Sequence, residues 1–130
     1  MTETPDELKM WLVVRSDIDI PKGKLAGQSG HAFERLTARI FRAGGQILEN
    51  YKKYESHNTP KITVTCKNLA ALERAELECE AAGIPTYKVT DAGRTVFDGP
   101  TVTVLSLGPS YRSELPKFVQ RFQLMKDNDE

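Results

Sequence analysis

Two short segments hold the side chains best suited to bond-making chemistry. The first is Lys22-Gly23-Lys24-Leu25-Ala26-Gly27-Gln28-Ser29-Gly30-His31. It falls where the loop after an apolar, β-forming run opens a helical pattern, and in open α/β sheets ligands bind at such strand-to-helix turns. Lys24, Gln28, His31 and Arg35 stand at i, i+4, i+7 and i+11, so one helix ridge presents an ammonium, an amide, an imidazole and a guanidinium. Every soluble helix has a polar face, which is explanation enough for Gln28 and Arg35 taken alone. Lys24 asks for more. A cation in the first turn opposes the helix macrodipole, so an anion or a developing oxyanion is expected beside it.

The second segment is Thr90-Asp91-Ala92-Gly93-Arg94-Thr95, at the carboxyl end of a predicted strand. Gly93 permits a tight turn that brings Asp91 and Thr95 to one side. A carboxylate beside a hydroxyl can orient or deprotonate a water, or polarise the hydroxyl itself. The plainer alternative is that Asp91 bonds its own turn backbone. A serine triad is rejected: in Gly27-Gln28-Ser29-Gly30-His31 the final position of G-x-S-x-G is His31, and the serine falls inside a helix. With two histidines, His31 and His57, and no H-E-x-x-H, no metal site is expected.

These segments need a scaffold, and the chain spells one out. Residues 9–15 form an apolar run closed by Ser16-Asp17, which predicts a buried strand. A helix is expected from residue 24 to about 43, with Leu25, Ala32, Phe33, Leu36 and Ile40 in one stripe and Gly44-Gly45 as its stop. A polar, partly helical connection over 46–58 leads to an alternating strand at 61–67. Asn68 caps a second helix whose apolar face is Leu69, Leu72, Ala75, Cys79 and Ala82, with Glu73, Glu76 and Glu80 as a solvated face and Gly83 and Pro85 at its end. Strands follow at 86–90 and 101–107, the latter closed by Gly108-Pro109, and a last helix is expected over 112–122. Strands alternating with helices predict helices on both faces of a largely parallel or mixed sheet.

At 130 residues, 39% hydrophobic and 28% charged, the chain has the size and composition of one globular domain rather than of a disordered segment. We expect that domain over residues 9–125, with a flexible tail at 1–8 and a flexible acidic tail at 126–130. No apolar run is long enough to span a bilayer and the start is acidic, so a soluble, cytoplasmic protein without membrane contact is expected. Cys66 and Cys79 lack metal-ligand spacing and are expected to be free, buried thiols of a reducing compartment. A net charge of zero argues against a strongly electrostatic nucleic-acid binder. Even so, the first half carries the basic excess and the second the acidic one, which leaves room for a basic face.

At the two clusters the sequence resembles the type-2 peptidyl-tRNA hydrolases, the archaeal and eukaryotic type that also occurs in some bacteria. The shared motifs extend over most of the chain: Lys9-Met10-Trp11-Leu12-Val13-Val14-Arg15-Ser16-Asp17, Lys22-Gly23-Lys24-Leu25-Ala26 with Gln28 and His31-Ala32, Pro60-Lys61-Ile62, Gly83-Ile84-Pro85-Thr86, Asp91-Ala92-Gly93-Arg94-Thr95, Thr101-Val102-Thr103-Val104-Leu105 and Leu107-Gly108-Pro109. The resemblance implies a single-domain three-layer α/β/α sandwich on a mixed four-stranded sheet, often dimeric. It implies hydrolysis of the peptidyl-tRNA ester with Lys24, Asp91 and Thr95 as catalytic residues, no metal and no organic cofactor. Substrate contacts are then expected from Lys22, Gln28, His31, Arg35, Arg39 and Arg94. The tripeptide Gly44-Gly45-Gln46, which release factors use against peptidyl-tRNA, is set aside because Gly44 already serves as a helix stop.

Three segments depart from the family pattern. The usual A-A-Q-x-x-H-A here has Gly27 and Gly30, at about 1 kcal/mol each relative to alanine within a helix. The usual Gly-Gln-Pro-Lys is Asn58-Thr59-Pro60-Lys61, and Pro-Gly-Thr is Gly99-Pro100-Thr101. The rivals these departures leave open are a divergent esterase or amidase on the same scaffold, and a noncatalytic tRNA-binding or protein-interaction module.

Overall fold

The computed structural model describes residues 6–93 and 97–126. Their order is β1 (Leu8–Arg15), α1 (Lys22–Ala43), α2 (Gly45–Glu55), β2 (Lys61–Cys66), α3 (Leu69–Ala81), β3 (Thr86–Asp91), β4 (Thr101–Tyr111), a 3₁₀ turn (Arg112–Glu114), α4 (Lys117–Gln120) and β5 (Gln123–Leu124). The described residues form a mixed sheet of five strands in the order β3-β4-β1-β2-β5. That corrects the expected four. The added strand is β5, two residues long, whose Leu124 and Gln123 pair antiparallel with Val64 and Thr65. So short a pairing has no periodicity for a sequence to display.

β1 is the central strand, parallel to β2 and antiparallel to β4, and β3 is antiparallel to β4. β1, β2 and β3 therefore all run the same way, and their carboxyl ends Arg15, Cys66 and Asp91 lie at one end of the sheet. β1 is apolar almost throughout because both of its faces are covered. Trp11 and Val13 pack with Leu72, Ala75 and Cys79 of α3. Met10, Leu12 and Val14 pack in clusters that include Ala32, Leu36 and Ile40 of α1 and Tyr54 of α2. Burial raises the thiols of Cys66 and Cys79 to about 11 and about 12, so both are unreactive at neutral pH.

α1 ends at Gly44, whose φ of 64° and N–H donation to the Ile40 carbonyl make the expected stop. The connection after it is a full helix, α2, fastened by buried Tyr54. Asn68 caps α3 by accepting from the Ala71 N–H at 2.9 Å.

The end of the chain differs from expectation in two ways. β4 does not stop at Gly108-Pro109; it continues to Tyr111 because Ser110 and Tyr111 pair with Lys9 and Leu8 past a register shift in β1. Gly108 makes that continuation possible, since a Cβ there would lie 2.8 Å from the Lys9 carbonyl oxygen. The expected helix over 112–122 is broken in the middle. Pro116 lacks an N–H and forces Leu115 into an extended conformation, ψ 148°, so only single turns form on either side.

The glutamates of α3 are also not a merely solvated face. Glu73 and Glu76 both pair with Lys88 of β3, at 3.4 and 3.3 Å, and Glu80 accepts from the Thr86 hydroxyl at 2.7 Å. They tie α3 to the edge strand.

Leu36 is fully buried between α1 and the sheet, whereas Leu77 of α3 is 69% exposed. Leu36→Ala should lower the stability measured by urea unfolding by about 2–5 kcal/mol, through lost burial and the cavity left behind. Leu77→Ala should leave the midpoint nearly unchanged.

Candidate active site

The site is built where the start of α1 crosses the carboxyl end of β3. α1 runs antiparallel to β3, so its polar ridge tracks the edge strand from Asp91 back to Thr86. At one end, Lys24 Nζ lies 2.8 Å from Asp91 Oδ2, and Gln28 Nε2 donates to the same oxygen at 2.7 Å. At the other, Arg39 donates to the Thr86 carbonyl at 2.7 Å, with its guanidinium 5.0 Å from the centre of the Tyr87 ring. Between them, His31 meets the same tyrosine edge-on, ring centres 6.4 Å apart. The anion expected beside Lys24 is thus present within the protein, as the Asp91 carboxylate.

Asp91 is held on both oxygens. The Gly93 N–H donates to Oδ1 at 2.8 Å, while Oδ2 takes Lys24 and Gln28. Asp91 thus bonds its own turn backbone, as the plainer alternative expects, and also pairs with Lys24. The hydrogen bond from Lys24, then that from Gly93, holds its carboxyl below the ordinary carboxylate range. Counting two acceptor directions per carboxylate oxygen, the described residues leave one on Oδ1.

The turn itself is dictated by glycine. Gly93 has φ 77°, and a Cβ on it would fall 2.2 Å from the Gly99 carbonyl oxygen, so no other residue fits without moving the backbone. The Thr101 hydroxyl donates to that same carbonyl at 3.0 Å. Sequence reasoning passed over Arg15, which closes the neighbouring side of this end of the sheet. It pairs with Asp17 at 2.9 Å and donates to the Val102 carbonyl at 3.0 Å, fixing the exit of β1 to the start of β4. Its signal was the Arg-Ser-Asp run at a strand end.

The structure brings together Lys24, Gln28 and Asp91, and sets His31 and Arg39 along the same ridge. Lys22 and Arg35 are exposed, and the partners of the Asp91 carboxylate among the described residues are Lys24, Gln28 and Gly93. Thr95 and Arg94 lie outside the described residues. Gln28 Oε1 is buried and, among the described residues, has no hydrogen-bond partner, at a cost of roughly 1–3 kcal/mol. Ser29 donates to the Leu25 carbonyl at 2.8 Å from within the helix, a poor posture for a nucleophile. Among the described residues no three His, Cys, Asp or Glu side chains group as metal ligands, and no helix is long and apolar enough to cross a membrane.

A family model described as peptidyl-tRNA hydrolase PTH2 matches residues 8–125. The chain is 32% identical over 124 residues to the probable peptidyl-tRNA hydrolase 2 of Drosophila melanogaster, covering 92% of this chain but only 63% of the fly protein. It is 32% identical over 103 residues to the peptidyl-tRNA hydrolase of Sulfurisphaera tokodaii, covering 78% of this chain and 85% of that one. With the Sulfolobus acidocaldarius peptidyl-tRNA hydrolase the identity is 33% over 104 residues, covering 78% and 87%.

Because folding lowers the proton affinity of Asp91, its ionised form stabilises the native state. That contribution is complete above the ordinary aspartate range and is lost as pH falls through the lower native value. The stability advantage of the wild type over Asp91→Asn should be largest at about pH 6–7 and should close below about pH 4. Denaturant titrations at a series of pH values measure it, and a gap independent of pH would contradict the ion pair.

Proposed function

The chain belongs to the PTH2 family of peptidyl-tRNA hydrolases, and we propose that it hydrolyses the ester between a peptidyl carbonyl and the terminal ribose oxygen of tRNA. The products are free peptide and reusable tRNA. The observation that carries this reading is the Lys24–Asp91 pair, set at the carboxyl ends of three co-directional strands inside the matched span.

The chemistry asks for a held water and for charge stabilisation on oxygen. The water oxygen adds to the acyl carbon, the bond from that carbon to the ribose oxygen breaks, and a proton from the water ends on the departing oxygen. Asp91 accepts an O–H of the water on the remaining direction of Oδ1. Its low proton affinity suits it to orienting the water more than to removing the proton outright. Lys24 stabilises the oxyanion or the departing ribose oxygen from its place at Oδ2, and Thr95 helps to hold the water. No metal or organic cofactor enters this chemistry.

Lys22, His31, Arg35 and Arg94 serve as contacts to the tRNA, with Arg39 closing the far end of the ridge; exposed cations at this end of α1 support phosphate binding. The packing of β1 against α3 through Trp11 and Val13, and against α1 through Leu12 and Val14, supports a three-layer α/β/α arrangement. We infer a cytoplasmic location, since translation there supplies such a substrate, and a homodimer is the assembly that the family resemblance implies. A smaller-substrate esterase or a noncatalytic module has no specific observation in its favour.

The direct test is release of peptide from an N-blocked aminoacyl-tRNA by the purified protein, under single-turnover conditions. Asp91→Asn should keep the fold and tRNA affinity and lose about 10²- to 10⁴-fold in rate. Near-wild-type release by the folded variant would reduce Asp91 to a turn residue.

Binding of tRNA should weaken steeply as salt rises, and Lys22→Ala with Arg35→Ala should flatten that dependence by releasing fewer counterions. An unchanged slope in the double variant would remove this end of α1 from the RNA surface.

A further inference from the structure

Three donors converge on the Asp91 carboxylate, and they are not equivalent. The Lys24 ammonium sits on a flexible stem and carries rotatable hydrogens, so it supplies charge but little direction. The Gln28 amide is planar, four residues further along the same helix face, and its Nε2 donates to Oδ2 at 2.7 Å. With the Gly93 N–H on Oδ1 at 2.8 Å, it defines the plane of the carboxylate.

Gln28 bears a penalty for this. Its Oε1 is buried without a partner among the described residues. Turning the amide over would not help, because it would bring that oxygen to 2.7 Å from the Asp91 oxygen, one negative atom against another. Where an orphaned acceptor is the only alternative to repulsion, an apolar side chain of the same length would serve the fold better.

We propose that Gln28 is a positioning residue acting through Asp91: it fixes the carboxylate in the orientation that presents its remaining acceptor direction to the attacking water, at the expense of native stability. The inference rests on the hydrolase reading above and deepens it, since Gln28 then serves the reaction without touching the substrate. Among the described residues, Lys24 of α1 is the charged group facing Asp91; β4 meets it with Thr101, and its own loop with the Gly93 N–H.

Two variants separate this role from packing and from substrate contact. Gln28→Met keeps the length and removes both amide atoms. Its melting temperature should equal or exceed that of the wild type, while kcat for N-blocked aminoacyl-tRNA falls on the order of ten- to a hundredfold and KM stays put. The acid limb of its kcat profile should move to higher pH, because Asp91 has lost a donor.

Gln28→Glu places a second carboxyl group at hydrogen-bond distance. Protonated, it donates to Asp91 as the amide does; ionised, it repels it. This variant should therefore approach wild-type kcat in acid and lose it as pH rises through the upper titration of the pair. NMR titration of the Asp91 carboxyl carbon in wild type and Gln28→Met gives a readout free of activity, with an upward displacement expected in the variant.

An unmoved Asp91 titration, pH profiles that merely scale, or a raised KM at constant kcat would each overturn the proposal, the last by making Gln28 a substrate contact. If the wild type releases no peptide yet the Asp91 titration moves, the hydrolase reading fails and the coupling of Gln28 to Asp91 stands.

Discussion

The Asp91 carboxylate is the point on which α1 and β3 agree. A lysine in the first turn of a helix is electrostatically misplaced, and a carboxylate at the end of a strand with two N–H donors aimed at it strongly prefers to be ionised. Each resolves the other: Lys24 sits 2.8 Å from Oδ2, and the pair is only partly exposed. Buried more deeply, the two charges would lose more hydration than they regain; fully exposed, they would be screened. At the rim of the sheet the pair keeps part of its hydration and holds a contact of 2.8 Å.

The rest of the architecture brings that rim together. Because β1, β2 and β3 run the same way, their exits converge, and the long helix after β1 returns across the edge strand rather than over the middle of the sheet alone. Ser106 of β4 donates to the Ala32 carbonyl at 2.9 Å, and Arg39 reaches Thr86, so α1 is fastened to the sheet at points beyond the site. On the opposite face, Glu73 and Glu76 pair with Lys88, which ties the edge strand to α3 as well. A site at a sheet margin needs such anchors, since an edge strand has neighbours on one side only.

What could be read from the chain, and what could not, follows the range of the interactions involved. The stripe of Ala32, Leu36 and Ile40, the Asn68 cap and the Gly44 stop are local patterns, and each was legible. So was the demand of Lys24 for an anion, although its answer lay 67 positions further along the chain in Asp91, a distance no spacing rule spans. Pro116 was in plain view, yet the apolar residues around it looked helical until their burial against β2 and α3 was known. β5 exists only because β2 offers it an edge. The pairing of Glu73 and Glu76 with Lys88 was hidden for the same reason: a glutamate face on a helix looks identical whether water or a lysine from another strand lies opposite.

The departures from the family pattern can be judged by what surrounds them. Asn58 takes φ 77°, a left-handed conformation that asparagine tolerates better than any residue but glycine, so the family glycine is replaced by its nearest conformational equivalent. Gly27 and Gly30 face open space, with no atom within 4 Å of an added Cβ; they soften α1 but neither carries nor crowds a bond to Asp91. Gly99 differs, because its backbone packs directly on Gly93. The reordering to Gly99-Pro100-Thr101 places a glycine, at φ 94°, at that contact, and the Thr101 hydroxyl donates to its carbonyl. Thr59, at φ 47°, is the one departure that takes a left-handed conformation its branched side chain disfavours; the changes as a whole fall on the backbone and spare the charged and amide atoms that meet at Asp91.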